Sequence, residues 1–140
     1  MNGRFDIITT MRKIPVDKGV AFGGGQLVFI AGPCVIESRK MAVDLARRLS
    51  ALARKLKVQY VFKASFDKAN RTSVDSFRGP GIDEGLDILA EIRAKFDVPV
   101  LTDIHEPWQA RPVAEVPDAV RGGRPVLVDL KRRAVRHDHV

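Results

Sequence analysis

The chain is short of several things, and each shortage narrows what it can be. Only one of its 140 residues is cysteine, Cys34. That excludes an internal disulfide framework and leads one to expect a reducing compartment, the cytoplasm. Aromatic residues make up 6% of the chain, with one Trp and one Tyr. No zinc-finger, RNP-type or basic-zipper pattern accompanies them, which argues against a nucleic-acid partner. The longest apolar run, near residues 27–31, falls far short of the roughly 20 residues of a membrane span, so no membrane partner is expected. The opening residues have no basic start followed by an apolar stretch, so no signal peptide is expected. What remains, 45% apolar and 29% charged residues, is ordinary globular composition, with one domain as the default.

Charge is the first positive feature. The net value is +7; residues 1–116 hold 18 Lys/Arg against 14 Asp/Glu, whereas residues 117–140 hold 6 against 3. A basic excess suits a polyanion. For the main body, small phosphorylated ligands fit better than nucleic acid.

Short apolar segments at 27–31, 59–62 and 98–104 read as buried strands. Between them lie two helical stripes, Met41, Leu45, Leu49, Leu52 and Leu56, then Ile82, Leu86, Leu89, Ile92 and Phe96. Asp83 and Glu84 open the second helix and Lys95 closes it, as the helix dipole favours. Alternating strands and helices predict an α/β fold of parallel strands with right-handed crossovers, either a doubly wound sheet or part of a (β/α)8 barrel. Residues 5–9 and 13–20 suggest a small hairpin in an N-terminal extension over 1–26, and residues 126–130 suggest a further strand without an assigned partner. Gly23-Gly24-Gly25 precedes the first strand, whereas a dinucleotide fingerprint must follow it, so that reading is discarded.

Ligands of parallel α/β folds bind at the carboxyl ends of the strands. Three polar clusters fall there: Gly32-Pro33-Cys34-Val35-Ile36-Glu37-Ser38, then Lys63-Ala64-Ser65-Phe66-Asp67-Lys68-Ala69-Asn70-Arg71-Thr72-Ser73, then Thr102-Asp103-Ile104-His105-Glu106-Pro107. Lys63 directly follows apolar Val61-Phe62. A lysine there is either functional or the end of the strand, its amine reaching water. Lys63, Lys68, Arg71 and Arg78 stand among Ser65, Thr72, Ser73 and Ser76, a mix that suits phosphate oxygens but also a solvated basic loop. Cys34 reads as a metal-bound thiolate, a nucleophile or, on the residues alone, an inert buried side chain. Asp103 is assigned to the site because an Asp ending an apolar strand needs a compensating partner. His105 goes to packing or the loop, and Trp108 and Tyr60 to packing.

Taken together, these strings, with Phe77-Arg78-Gly79-Pro80-Gly81, resemble the 3-deoxy-D-manno-octulosonate 8-phosphate (Kdo-8-phosphate) synthase family over about residues 27–116. The resemblance implies the N-terminal part of a (β/α)8 barrel, usually tetrameric. It also implies a cytoplasmic transferase that condenses phosphoenolpyruvate with D-arabinose 5-phosphate and water, releasing phosphate, for lipopolysaccharide core biosynthesis. Matched residue by residue, Lys63, Ser65 and Lys68 would hold phosphoenolpyruvate, and Asn70 would position the sugar phosphate. Arg71 and Thr72 would bind the sugar's phosphate across a subunit boundary, and Asp103 would lie near the sugar hydroxyls and the reactive water. Lys63, Lys68 and Asp103 are the candidate catalytic residues. The family has metal-dependent members with Cys where the others have Asn, so Cys34 implies a divalent metal cation. The family's remaining metal ligands find no counterpart in this chain, and His137 and His139 stand in no family context. After Val116 the resemblance lapses into an arginine-rich tail over 117–140, of the kind a shifted reading frame produces. The expectation is a synthase encoded in part and inactive alone, or a non-catalytic phosphate-binding remnant of the same fold. An open sheet with two bare edges is expected to be marginally stable and to associate.

Overall fold

The structure, a computed structural model, describes residues 12–68, 78–114 and, as backbone, 127–130. Its first element is a two-stranded antiparallel hairpin, β1 (Ile14–Asp17) and β2 (Val20–Phe22), with a register shift between Pro15 and Asp17. The two-residue turn, Lys18 and Gly19, has φ of 49° and 77°. Positive φ at both positions lets a tight turn match the twist of the strands it joins. The suggested partner segment 5–9 lies outside the described residues.

Four strands follow in one parallel sheet: β3 (Val28–Ala31), β4 (Gln59–Lys63), β5 (Val100–Ile104) and β6 (Leu127–Leu130). They are neighbours in chain order. Val28 pairs with Gln59, Lys63 with Leu101, and Asp103 with Asp129. The strand suggested at 126–130 thus finds its partner in β5. Helix α1 (Arg39–Leu56) links β3 to β4, α2 (Ile82–Phe96) links β4 to β5, and the two helices pack on each other. After β5 come a single 3-10 turn, Pro107–Gln109, and a short helix α3 (Ala110–Ala114).

Sequence chemistry explains the element ends. The Ser38 hydroxyl caps α1 by accepting from the Met41 N–H at 3.2 Å, an arrangement worth about 1 kcal/mol. Lys57 closes α1 in the left-handed conformation, its N–H meeting the carbonyls of Ala53 and Arg54. Helix α2 carries Asp83 and Glu84 in its first turn and Arg93 and Lys95 in its last, complementing the dipole.

Strand periodicity sorts the sheet into two faces. Tyr60, Phe62 and Ala64 of β4 and its exit join Val100 and Ile104 of β5 in the core with Leu89 and Ile92 of α2. The odd-numbered positions, Lys63 and Ser65 on one strand and Asp103 and His105 on the next, therefore face away from the helices.

Two expectations about burial fail. In α1 the buried residues are Ala42, Ala46, Ser50 and Ala53, while Leu52 and Leu56 are exposed. The small residues meet the core directly, while of the leucine stripe Leu49 packs partly buried against it and the C-terminal end lies in solvent. Strand β3 is not buried either, for Phe29 and Ile30 are exposed, as is Leu27 just before it. It stands at the edge of the sheet, with no strand beyond it among the described residues.

The hairpin sits at the amino ends of the strands. Arg93 Nε and Nη2 donate to Asp17 Oδ2 at 3.0 and 2.8 Å, with both side chains largely buried. The Ala21 N–H donates to Gln59 Oε1 at 2.6 Å, and Lys18 pairs with Asp97 at 2.9 Å.

Candidate functional site

At the carboxyl ends of β3, β4 and β5 the three polar clusters converge. Beyond Ala31 the chain keeps running beside the exit of β4: Val35 bridges Ser65 in parallel, and the Ile36 N–H donates to the Ser65 carbonyl at 3.0 Å. Gly32 makes this approach possible. A Cβ there would sit 2.0 Å from the Lys63 carbonyl oxygen, far inside van der Waals contact, so only glycine fits.

Ser65 is wholly buried and forms the hub. Its hydroxyl accepts from Lys63 Nζ at 2.9 Å and from Lys68 Nζ at 3.1 Å. A hydroxyl has two acceptor lone pairs and one proton, so Ser65 keeps its O–H to donate. Lys63 also pairs with Asp103 Oδ1 at 3.4 Å. The Asp103 carboxylate is fully buried, and Lys63 is 22% exposed. The alternative of a lysine that simply reaches water therefore fails: its ammonium bridges a buried hydroxyl and a buried carboxylate. Two ammonium groups on one oxygen, against one carboxylate, give this cluster a net positive charge. In a partly dehydrated setting that favours an incoming anion.

His105 belongs to the same cluster rather than to packing. Residues two apart on a strand share a face, and its Nε2 lies 3.9 Å from Asp103 Oδ2 and 3.1 Å from the Asp67 carbonyl. Its backbone is fixed by Gln109, whose Oε1 accepts from the N–H groups of His105 and Glu106 at 2.7 and 3.1 Å. Trp108, assigned to packing, is exposed on that 3-10 turn. Tyr60 is buried; its hydroxyl donates to the Ala31 carbonyl at 2.9 Å, and desolvation pushes its pKa far up.

Arg78 is spoken for. Its Nε and Nη2 donate to the two oxygens of Asp67 at 3.1 and 2.9 Å. Asn70, Arg71 and Thr72 lie outside the described residues, as do His137 and His139. Sequence reasoning gave no role of their own at the site to Asp67, His105 or Gly32. The first stands beside Lys68, and the second two positions after Asp103.

Cys34 is exposed, in the turn after β3. Among the described residues no three His, Cys, Asp or Glu side chains are grouped so as to hold a metal. One thiolate cannot hold a divalent cation in place, so the described residues by themselves do not make a metal centre. A cavity of about 220 Å³ lies at the opposite end of the sheet, between the hairpin turn, α1 and the start of β4. It is far from this chemistry. No helix among the described residues is long and apolar enough to cross a membrane.

Residues 10–124 match the DAHP synthetase I family. The chain is 45% identical over 115 residues to the 2-dehydro-3-deoxyphosphooctonate aldolase of Fusobacterium nucleatum, covering 82% of this chain and 41% of that protein. It is 60% identical over 92 residues to the enzyme of the same name from Bordetella bronchiseptica, covering 66% of this chain and 32% of that protein. With the Koribacter versatilis enzyme of that name it shares 50% over 104 residues, covering 74% and 37%. The chain thus spans about two-fifths or less of the length of these relatives. With the family match extending over most of its residues, the site cluster included, the chain belongs to the DAHP synthetase I family.

Proposed function

We propose that this chain carries the phosphoenolpyruvate-binding part of a Kdo-8-phosphate synthase. The convergence of Lys63 and Lys68 on the buried Ser65 hydroxyl, next to Asp103, carries the reading. The architecture it implies is the first part of a (β/α)8 barrel. Support comes from parallel strands that follow one another in chain order, without the reversal of a doubly wound sheet. Residues 27–116 would form the barrel part, with 1–26 as an extension and 117–140 as an atypical basic tail.

In the whole enzyme the reaction joins the methylene carbon of phosphoenolpyruvate to the aldehyde carbon of D-arabinose 5-phosphate, while water adds at the phosphate-bearing carbon and phosphate leaves. Lys63, Ser65 and Lys68 would hold the carboxylate and phosphate of phosphoenolpyruvate. Asn70 would position the sugar phosphate, with Arg71 and Thr72 binding its phosphoryl oxygens. Asp103, facing the same side as Lys63, would accept hydrogen bonds from the sugar hydroxyls and the reactive water. The cations' work is to hold two mutually repelling anions together and to stabilise charge as it develops. Cys34 would supply one ligand to a divalent cation that polarises a substrate oxygen or water. Since the described residues assemble no set of three ligands, no step is assigned to the metal. Tetrameric assembly, a cytoplasmic location and a place in lipopolysaccharide synthesis belong to the same proposal.

For the 140-residue chain on its own we propose binding without turnover, a reading favoured by its covering 41% or less of its relatives' length. Isothermal calorimetry with phosphoenolpyruvate tests it, beside an assay for phosphate release with both substrates. The expected result is binding that Lys63→Met abolishes, and no phosphate. Equal binding by wild type and Lys63→Met would sink the site, and phosphate release by the isolated chain would sink the inactivity.

A further inference from the structure

The exit of β4 is held in place more firmly than a solvated loop needs. Besides the two-point contact of Arg78 with Asp67, the Lys68 N–H donates to the Arg78 carbonyl at 2.8 Å. The Gly81 N–H donates to the Phe66 carbonyl at 3.2 Å. From the other side His105 Nε2 meets the Asp67 carbonyl at 3.1 Å. Residues 66–68 are therefore tied to residues 78–81 by main chain and side chain, and to the end of β5 by an imidazole. Lys68 is the next residue along, with its ammonium on Ser65.

We infer that Asp67 and Arg78 form a clasp whose work is to aim Lys68, and that Arg78, a half-exposed cation close to an anion site, is not itself a ligand for the anion. This deepens the reading above and rests on it. Both N–H groups of the guanidinium edge already face a carboxylate in the fork geometry that arginine and carboxylates share. Recruiting that edge to a substrate would break the pair and leave Asp67, a negative charge, beside an incoming anion. The clasp also explains why an acidic residue stands next to Lys68 in an otherwise basic stretch: its charge is absorbed by Arg78 instead of by Lys68, whose ammonium stays on Ser65.

The two roles predict opposite signs. If Arg78 bound the anion directly, Asp67 would compete with it. Asp67→Asn would then tighten phosphoenolpyruvate binding, and Arg78→Lys, which keeps the charge, would weaken it little. For a clasp, Asp67→Asn and Arg78→Lys each weaken binding by about threefold, the scale of a half-exposed ion pair. The double variant loses no more than either single one, because both changes remove the same contact. Calorimetric titration of the four proteins with phosphoenolpyruvate, at a salt concentration that screens long-range charge, separates the cases. Tighter or unchanged binding by Asp67→Asn, wild-type affinity in Arg78→Lys, or additive losses would each overturn the inference.

Hydrogen exchange at the Lys68 amide provides a readout independent of ligand. Exchange there should accelerate by about tenfold in both single variants while the unfolding midpoint hardly moves. If wild type binds no phosphoenolpyruvate, the functional reading fails, and this measurement alone decides the clasp: acceleration supports it, and unchanged exchange overturns it.

Discussion

Gly32→Ala is the smallest change with the largest expected effect on this chain. The added methyl would lie 2.0 Å from the Lys63 carbonyl oxygen, 2.9 Å from its carbon and 3.1 Å from its nitrogen. All three atoms are backbone, so no rotamer change can make room. Ordinary contact requires about 3.4 Å or more, so the exit of β3 must move away from β4 by more than an ångström. That would strain the Val35–Ser65 bridge and the 3.0 Å bond from the Ile36 N–H to the Ser65 carbonyl. Overpacking a close contact costs about 1–3 kcal/mol, and a backbone clash belongs at the top of that range. At about 3 kcal/mol the folded-to-unfolded ratio falls by about 150-fold. For a chain of this size the midpoint should drop by about 10 °C. The control is Gly19→Ala, where the methyl meets nothing within 4 Å but φ is +77°. That position carries only the left-handed cost, about 1–2 kcal/mol. Thermal and urea unfolding followed by circular dichroism, on wild type and both variants, ranks them. A Gly32→Ala protein as stable as wild type, or more stable than Gly19→Ala, would refute the close-approach argument.

Other expectations are simpler. Arg93→Met strips the nearly buried Asp17 carboxylate of its guanidinium partner and should cost about 3 kcal/mol; a urea-derived loss below about 1 kcal/mol would show that the hairpin is held otherwise. The hydrogen bond from Arg39 is the main influence holding the Glu91 carboxyl below its usual 4.5, with Lys95 helping and burial opposing. A depressed carboxylate stabilises the fold above its unfolded pKa and loses that contribution as pH falls through the folded value. The stability gap between wild type and Glu91→Gln should therefore be flat above about pH 5.5 and close below about pH 4.5; it is small, since the pair is near the surface. Phe29 and Ile30 expose apolar groups on the two faces of an edge strand, so the chain should associate as concentration rises, and Phe29→Lys should reduce that in sedimentation velocity.

Local patterning already specified where elements begin and end. The polar break after Val28–Ala31, the acidic first turn of α2 and the apolar segment around β5 place three of the central elements. They also bring Lys63, Ser65, Lys68 and Asp103 to strand ends, because parallel strands joined by helical crossovers leave their carboxyl ends on one side. Periodicity in α1 was misleading. Leu52 and Leu56 belong to the leucine stripe, yet they are exposed while Ala42, Ala46 and Ala53 are buried. No local signal marks which side of the helix meets the core.

The sequence by itself determined the kind of chemistry: which cations and hydroxyls are available, on which connections, and in what order. Only the tertiary structure decided how they share partners. It put two ammonium groups on one buried hydroxyl, turned His105 into the cluster, and withdrew Arg78 from it by pairing it with Asp67. The reason is physical. Composition and spacing fix what each residue can offer, but a hydrogen bond of about 3 Å depends on strand register and backbone approach. At this site those were set by a glycine, Gly32, lying against the Lys63 carbonyl.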